Sequence, residues 1–197
     1  ELLSAAYRLN DQNPLGSGSG FGTGVPLDRL ATTKELGFGR VQQNALYCQN
    51  SRGKIESFTI SALMQVMMSL GKIANDAVIF YSQEFSFINI DPSLTTGSSI
   101  MPQKRNLDIM EVLRANVSIM QSLQMQVQSV SFNLISGYNK DLKITKKPLI
   151  DAFDITAKSL AIVSLLFENM TPNQNVLERA FEDIDIFATD YANDLVM

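Results

Sequence analysis

The chain has 197 residues, 45% apolar and only 18% charged, with sixteen basic and twenty acidic side chains giving a net charge of −4. Such a composition builds a sizeable core and excludes disorder, which needs low hydrophobicity and high net charge. It also offers no overall field for nucleic acid. Histidine is absent and Cys48 is the single cysteine. These counts leave no disulfide framework, no His- or Cys-cluster metal site and no histidine base for a cysteine nucleophile, so Cys48 reads as a buried structural thiol. One thiol fits a reducing, cytoplasmic setting.

Taken in chain order, most of the sequence reads as helix, with no alternating run long enough for a sheet. Residues 1–9 open within a helical pattern (Leu2, Leu3, Ala5, Ala6, Leu9) and 194–197 close within another, so an internal piece of a longer polypeptide is expected. Residues 13–26 form a glycine-rich loop. Its glycines fit neither G-x-G-x-x-G nor the P-loop pattern in any register, which leaves a tight connection where backbone approaches backbone. A short helix over 28–36 should end at Gly37 and Gly39. A long helix should follow from Ser51, as N-cap, to about Tyr81. Its stretch 57–71 carries no ionisable side chain and is apolar on every face, as in a buried helix; the uncharged run is too short for a membrane span.

Ile109, Leu113, Asn116, Met120, Leu123, Val127, Val130 and Leu134 alternate spacings of four and three, a heptad seam with one polar member. The surface over 115–134 has no formal charge, which predicts that this helix is surrounded by others, through oligomerisation. A third long helix should span 149–168, and Thr171-Pro172-Asn173-Gln174 reads as a capping box with proline at the first helical position.

Two polar segments stand out. Residues 94–106 put Gly97, Ser98 and Ser99, then Lys104 and Asn106, just ahead of the heptad helix, with Asn106 and Asp108 as its start. Backbone N–H groups, an ammonium and an amide there suit a carboxylate, although an ordinary polar linker has the same composition. Residues 137–148 hold Lys140, Lys143, Lys146 and Lys147 after a long stretch without lysine. That cluster is either a solvated loop or a site for a small polyanion.

Gly97-Ser98-Ser99-Ile100-Met101-Pro102-Gln103-Lys104-Arg105-Asn106 resembles the signature G-S-S-x-M-P-x-K-x-N of the fumarase/aspartase superfamily. The Met-Pro-Gln-Lys form followed by a basic residue and Asn is similar to its argininosuccinate lyase/δ-crystallin branch. Residues 13–29 resemble that branch's P-L-G-x-G-x-x-x-G-x-x-x-x-x-D-R stretch, Glu84-Phe85-Ser86-Phe87 its E-F-S/G-F, Tyr138-Asn139-Lys140-Asp141 its Y-N-K/R-D, and Ala188-Thr189-Asp190 its A-T-D.

The resemblance implies an all-α fold, the central long-helix bundle of a homotetrameric lyase that releases fumarate, with residues 1–197 as one helical domain. It implies a small-molecule substrate, argininosuccinate, with no cofactor, nucleic acid or membrane partner. Ser98 matches the family's catalytic serine on a mobile loop; Lys104 and Asn106 match the pair that stabilises the doubly charged aci-carboxylate. Ser99, Met101, Tyr138, Lys143 and Lys146 match substrate-contacting positions. The family's catalytic histidine, its N-terminal substrate loops and its small C-terminal domain match nothing in this sequence, so the isolated chain is expected to be inactive.

Three departures mark a divergent branch: Lys143 where Gln is usual, Leu107 where Pro follows the signature Asn, and residues 48–54, which keep Arg52 but lose both acids of S-D/E-R-D. Other fumarate-releasing lyases, or a non-catalytic helical scaffold of δ-crystallin type, are the alternatives.

Overall fold

The computed structural model describes residues 1–196; Met197, the end of the C-terminal helical pattern, lies outside the described residues. Eight α-helices are present among them: α1 (Leu2–Asn10), α2 (Arg29–Glu35), α3 (Ala45–Asn50), α4 (Lys54–Tyr81), α5 (Asp108–Ser131), α6 (Lys146–Glu168), α7 (Gln174–Ala180) and α8 (Ala188–Asp194). Two short antiparallel ribbons accompany them: β1 (Ile88–Ile90) with β4 (Met170–Pro172), and β2 (Thr96–Gly97) with β3 (Arg105–Asn106). The helical fold class is therefore as expected. The chain divides into two compact units, Glu1–Ser69 with Ala115–Ser159, and Leu70–Arg114 with Leu160–Met197. We call them unit 1 and unit 2.

In unit 1, α4 and α5 run antiparallel. Gly53 meets Ser131, and Gln128 donates to the Ser57 hydroxyl at 3.3 Å. Ile60, Met67, Met120 and Val127 are fully buried between them, with Ala152 and Ser159 of α6. Gly53 has a positive φ of +77°, and a Cβ there would collide with the Ser131 side chain and lie 3.2 Å from Leu142 Cδ2. Only glycine joins α3 to α4 at this approach. The start of α4 corrects the sequence expectation. Ser51 is not its N-cap: its buried hydroxyl accepts from Gln42 Nε2 at 3.0 Å. The carboxylate that serves the first turn belongs to Glu56, whose Oε2 accepts the Gly53 amide at 2.6 Å. The helix α3, capped by the Asn44 side chain on the Tyr47 amide, was not anticipated.

The glycine loop closes around a single side chain. Arg29, the first residue of α2, donates from Nε to the Leu15 carbonyl at 2.7 Å and from Nη2 to the Gln42 carbonyl at 2.8 Å. Its neighbour Asp28 caps α2 by accepting from the amides of Leu30 and Ala31. A Cβ on Gly16 would press on Arg29 Cγ at 3.0 Å, and one on Gly20 would meet Gln49 Cγ at 2.8 Å, so the close approach at these two glycines is to side chains and not to backbone, while Gly22 and Gly24 face open space. Cys48 is buried, its thiol 3.3 Å from the Gln42 carbonyl.

In unit 2 the core includes Leu70, Ala74, Ala77, Ile90, Leu107, Met110, Leu113, Val163 and Leu166. The heptad seam holds from Leu113 through Met120, Leu123 and Val127, but shifts at both ends. Leu107 and Met110, not Ile109, are buried at the start, and α5 stops at Ser131, so Leu134 lies beyond the helix. Asn133, with φ +61°, turns the chain there. Helix α6 begins at Lys146 instead of 149, with Pro148 inside its first turn, where the amide that proline lacks has no intrahelical partner to lose. Thr171 and Pro172 are not a helix cap: they pair with Asn89 and Ile88, and α7 starts at Gln174 after Asn173, whose amide donates to the Phe87 carbonyl.

Gly53→Ala should destabilise the protein by about 2–4 kcal/mol, from left-handed strain plus overpacking against Ser131. Denaturant unfolding checks this; a midpoint equal to the parent's would contradict the close approach.

Candidate active site

The signature residues form a closed excursion in unit 2. Thr96 pairs with Asn106 and Gly97 with Arg105, so the two ends of the loop 98–104 are pinned side by side directly before α5. The Lys104 amide donates to the Met101 carbonyl at 3.0 Å. Thr96 Oγ1 donates to the carboxylate of Asp108, the first residue of α5, which ties the ribbon to the helix terminus. Asn106 thus belongs to the ribbon, and α5 starts without it.

Within this loop the Ser98 hydroxyl oxygen accepts from the amides of Ile100 and Met101, both at 3.3 Å. Two N–H donors converging on one oxygen favour negative charge there, which is what a serine acting as a base requires. Among the described residues no amine or carboxylate is hydrogen-bonded to that oxygen. Ser99, Met101 and Lys104 are exposed, Ser98 and Asn106 half-buried. The loop therefore presents its hydroxyl, ammonium and amide groups at the surface of unit 2. Just ahead of it, the hydroxyl and amide of Ser93 donate to Asp91 and hold its carboxyl below the usual carboxylate range. The Pro92–Leu94 turn is accordingly strengthened above that range and weakened as pH falls through the lowered value.

The remaining candidates belong to unit 1. Tyr138 precedes a 3-10 turn, Lys140–Lys143, and Lys146 begins α6. Leu142, Thr145 and Pro148 are buried, whereas Tyr138, Lys140, Lys143 and Lys146 are exposed. Lys147 is paired with Asp151 in an exposed i,i+4 bridge, which leaves Lys140, Lys143 and Lys146 as the outward cations of the turn. Beside it Arg52 lines two clefts, one of about 590 Å³ shared with Gly16, Ser17, Gln42 and Glu56, and one of about 200 Å³ shared with Ser131 and Gly137. Sequence reading retained Arg52 only as a remnant of a family motif and missed Glu56 altogether. Arg52 leaves no local pattern, because its partner is 90 residues away; Glu56 has a local signal, a glutamate three residues after Gly53 at the start of a helix, but its contact with Thr145 spans 89 residues.

Comparison with known proteins identifies the family. A family described as Lyase matches residues 2–121. The argininosuccinate lyase of Thermotoga neapolitana is 38% identical over 196 residues, all of this chain and 49% of the relative; that of Parabacteroides distasonis is 41% identical over 178 residues, 90% of this chain and 40% of the relative. The chain thus spans about half, or less, of the curated relatives it matches. Among solved structures, a class II fumarase from Schistosoma mansoni superimposes with a TM-score of 0.78 at 13% identity, over 90% of this chain and 42% of that one. An EDDS lyase variant with bound fumarate gives 0.77 at 21% identity, over 88% and 34%. Those two likenesses bear on the fold, and they agree with the long-helix architecture.

Thr96→Val should release the ribbon from Asp108 and speed amide exchange at Gly97 and Arg105, while unfolding free energy changes by only about 1 kcal/mol, as for one exposed hydrogen bond. Unchanged exchange would mean that the ribbon does not depend on that bond. Across the family match and the two curated relatives, one statement covers the whole length: this chain belongs to the Lyase family.

Proposed function

We propose that the whole protein is an argininosuccinate lyase, which eliminates arginine from argininosuccinate and releases fumarate. The observation that carries this is the pinned loop 98–104, in which a hydroxyl with two amide donors is followed by Lys104 and Asn106. Identities of 38% and 41% with argininosuccinate lyases, over nine-tenths or more of the chain, support the choice of substrate.

The chemistry is a carbon–nitrogen elimination. Ser98 takes the proton from the succinyl carbon next to a carboxylate. The electron pair left behind moves onto that carboxylate, giving a doubly charged aci-carboxylate. Lys104, Asn106 and the loop amides hold this charge, and preorganised donors of that kind contribute on the order of 3–4 kcal/mol each. The pair then forms the carbon–carbon double bond as the carbon–nitrogen bond breaks, and the leaving guanidinium nitrogen takes up a proton. That step needs a general acid beside the leaving nitrogen.

Ser99, Met101, Tyr138, Lys143 and Lys146 bind the substrate, whose several carboxylates suit the outward lysines. Lys143 in place of an amide adds a full charge at its position. The uncharged surface of α5, where Ile119 and Met125 are exposed, supports assembly through long helices into a homotetramer. The lone buried thiol supports a cytoplasmic protein.

Fumarate absorbance in the whole-length protein tests the reading. Argininosuccinate should be turned over in preference to adenylosuccinate, malate and aspartate. Ser98→Ala should lower kcat by about 10²–10⁴ with KM little changed, as for a group acting in the transition state. Turnover of another of these substrates, or an active Ser98→Ala protein, would overturn it. Sedimentation of the whole protein as a well-folded monomer would remove the tetramer.

A further inference from the structure

We propose that the turn joining α3 to α4 is a clamp on the exposed Tyr138–Lys146 segment, with Arg52 as its central positioning residue. Three rungs cross between the two stretches, all within unit 1. Asn50 Oδ1 accepts the Gly137 amide at 2.8 Å, immediately before Tyr138. Arg52 Nη2 donates to the Leu142 carbonyl at 2.8 Å, inside the 3-10 turn. Glu56 Oε1 lies 3.3 Å from the Thr145 hydroxyl, one residue before Lys146. The same hydroxyl is 2.9 Å from the Leu142 carbonyl, so the second and third rungs meet on one buried peptide.

The clamp is itself held rigid. Glu56 uses its other oxygen on the Gly53 amide, and Gly53 lets the turn sit against Ser131 and Leu142. Besides these rungs, the buried side chains of Leu142 and Thr145 anchor residues 137–145, and among the described residues the only side-chain bonds that Asn139 makes are to its own neighbours, Ile135 and Gly137. A short turn with its lysines in water has high conformational freedom, and tying its inner carbonyl to a guanidinium removes much of it. The buried faces of Leu142 and Thr145 are thus gripped, and the opposite faces, Tyr138, Lys143 and Lys146, are aimed outward by consequence. The fixed turn delivers its cations as a preorganised set, which aids ground state and transition state alike.

This inference rests on the reading of Tyr138, Lys143 and Lys146 as substrate-binding residues, and the test separates the two. In the whole-length protein, Arg52→Gln should raise KM for argininosuccinate about tenfold, the loss of one charge-assisted hydrogen bond, with kcat nearly unchanged. On a Lys146→Met background the same substitution should cost far less, because both act through one turn. Amide exchange in the ligand-free protein should rise at residues 142–146 and not in the ribbon 96–106. Arg52→Lys, which keeps a donor, should recover part of the KM effect and serves if Arg52→Gln fails to fold. Unchanged KM with unchanged exchange overturns the clamp, as does full additivity with Lys146→Met. Faster exchange at 142–146 in a protein whose parent does not turn over argininosuccinate supports the clamp and overturns the substrate reading instead.

Discussion

A helix almost without charge must find apolar partners along its whole length. Helix α4 carries no ionisable group from Ser57 to Gly71, and α5 carries none from Ala115 to Ser131. In water each would expose a costly surface; laid antiparallel in unit 1 they bury Ile60, Met67, Met120 and Val127 completely. This burial makes the helices a stiff frame and leaves the polar chemistry to the segments at their ends. The turn before α4, the ribbon before α5 and the turn before α6 are where the hydroxyls, amides and cations collect. Specific contacts hold each of them, among them Gly53 against Ser131, Thr96 on Asp108, and Arg52 on the Leu142 carbonyl.

The two groups of candidate residues are built differently. The 98–104 excursion is pinned at its ends, and the hydroxyl of Ser98 and the ammonium of Lys104 ride on a short loop with few internal bonds, those to the Ser98 oxygen at 3.3 Å and one Lys104 amide bond at 3.0 Å. Such a loop can adjust to a substrate and is well suited to groups that act as charge develops. The 138–146 segment is held along its length from beneath, which suits groups that only bind. On the proposed reading, charge development and binding make opposite demands on rigidity, and the two tethers match those demands.

Much of this was legible in the sequence because the signals were local. Helical spacing placed α4, α5 and α6, glycine and N-cap chemistry bounded α2, and the signature segment stood out by its residue types. Two of the misreadings share one cause, a partner elsewhere in the chain overriding a local rule. Ser51 looks like a cap, but Gln42 occupies its hydroxyl; Thr171-Pro172 looks like a helix start, but Ile88 and Asn89 take it into a ribbon. Leu134 continues a numerical seam past the residue where α5 ends. Contacts across ninety residues, such as Arg52 with Leu142, leave no periodic trace at all.

The central claim is that residues 98–106 are shaped for a dianion and not for the resting substrate. Its most direct measurement is the affinity of the whole-length protein for a nitronate analogue of the deprotonated succinyl group, compared with that for argininosuccinate, in the parent and in Lys104→Met. The account predicts that the analogue binds the parent at least about 10²-fold more tightly than substrate, as transition-state mimics do, and that Lys104→Met erases most of that difference. Equal affinities in the parent, or an advantage that survives the loss of the ammonium, would contradict it.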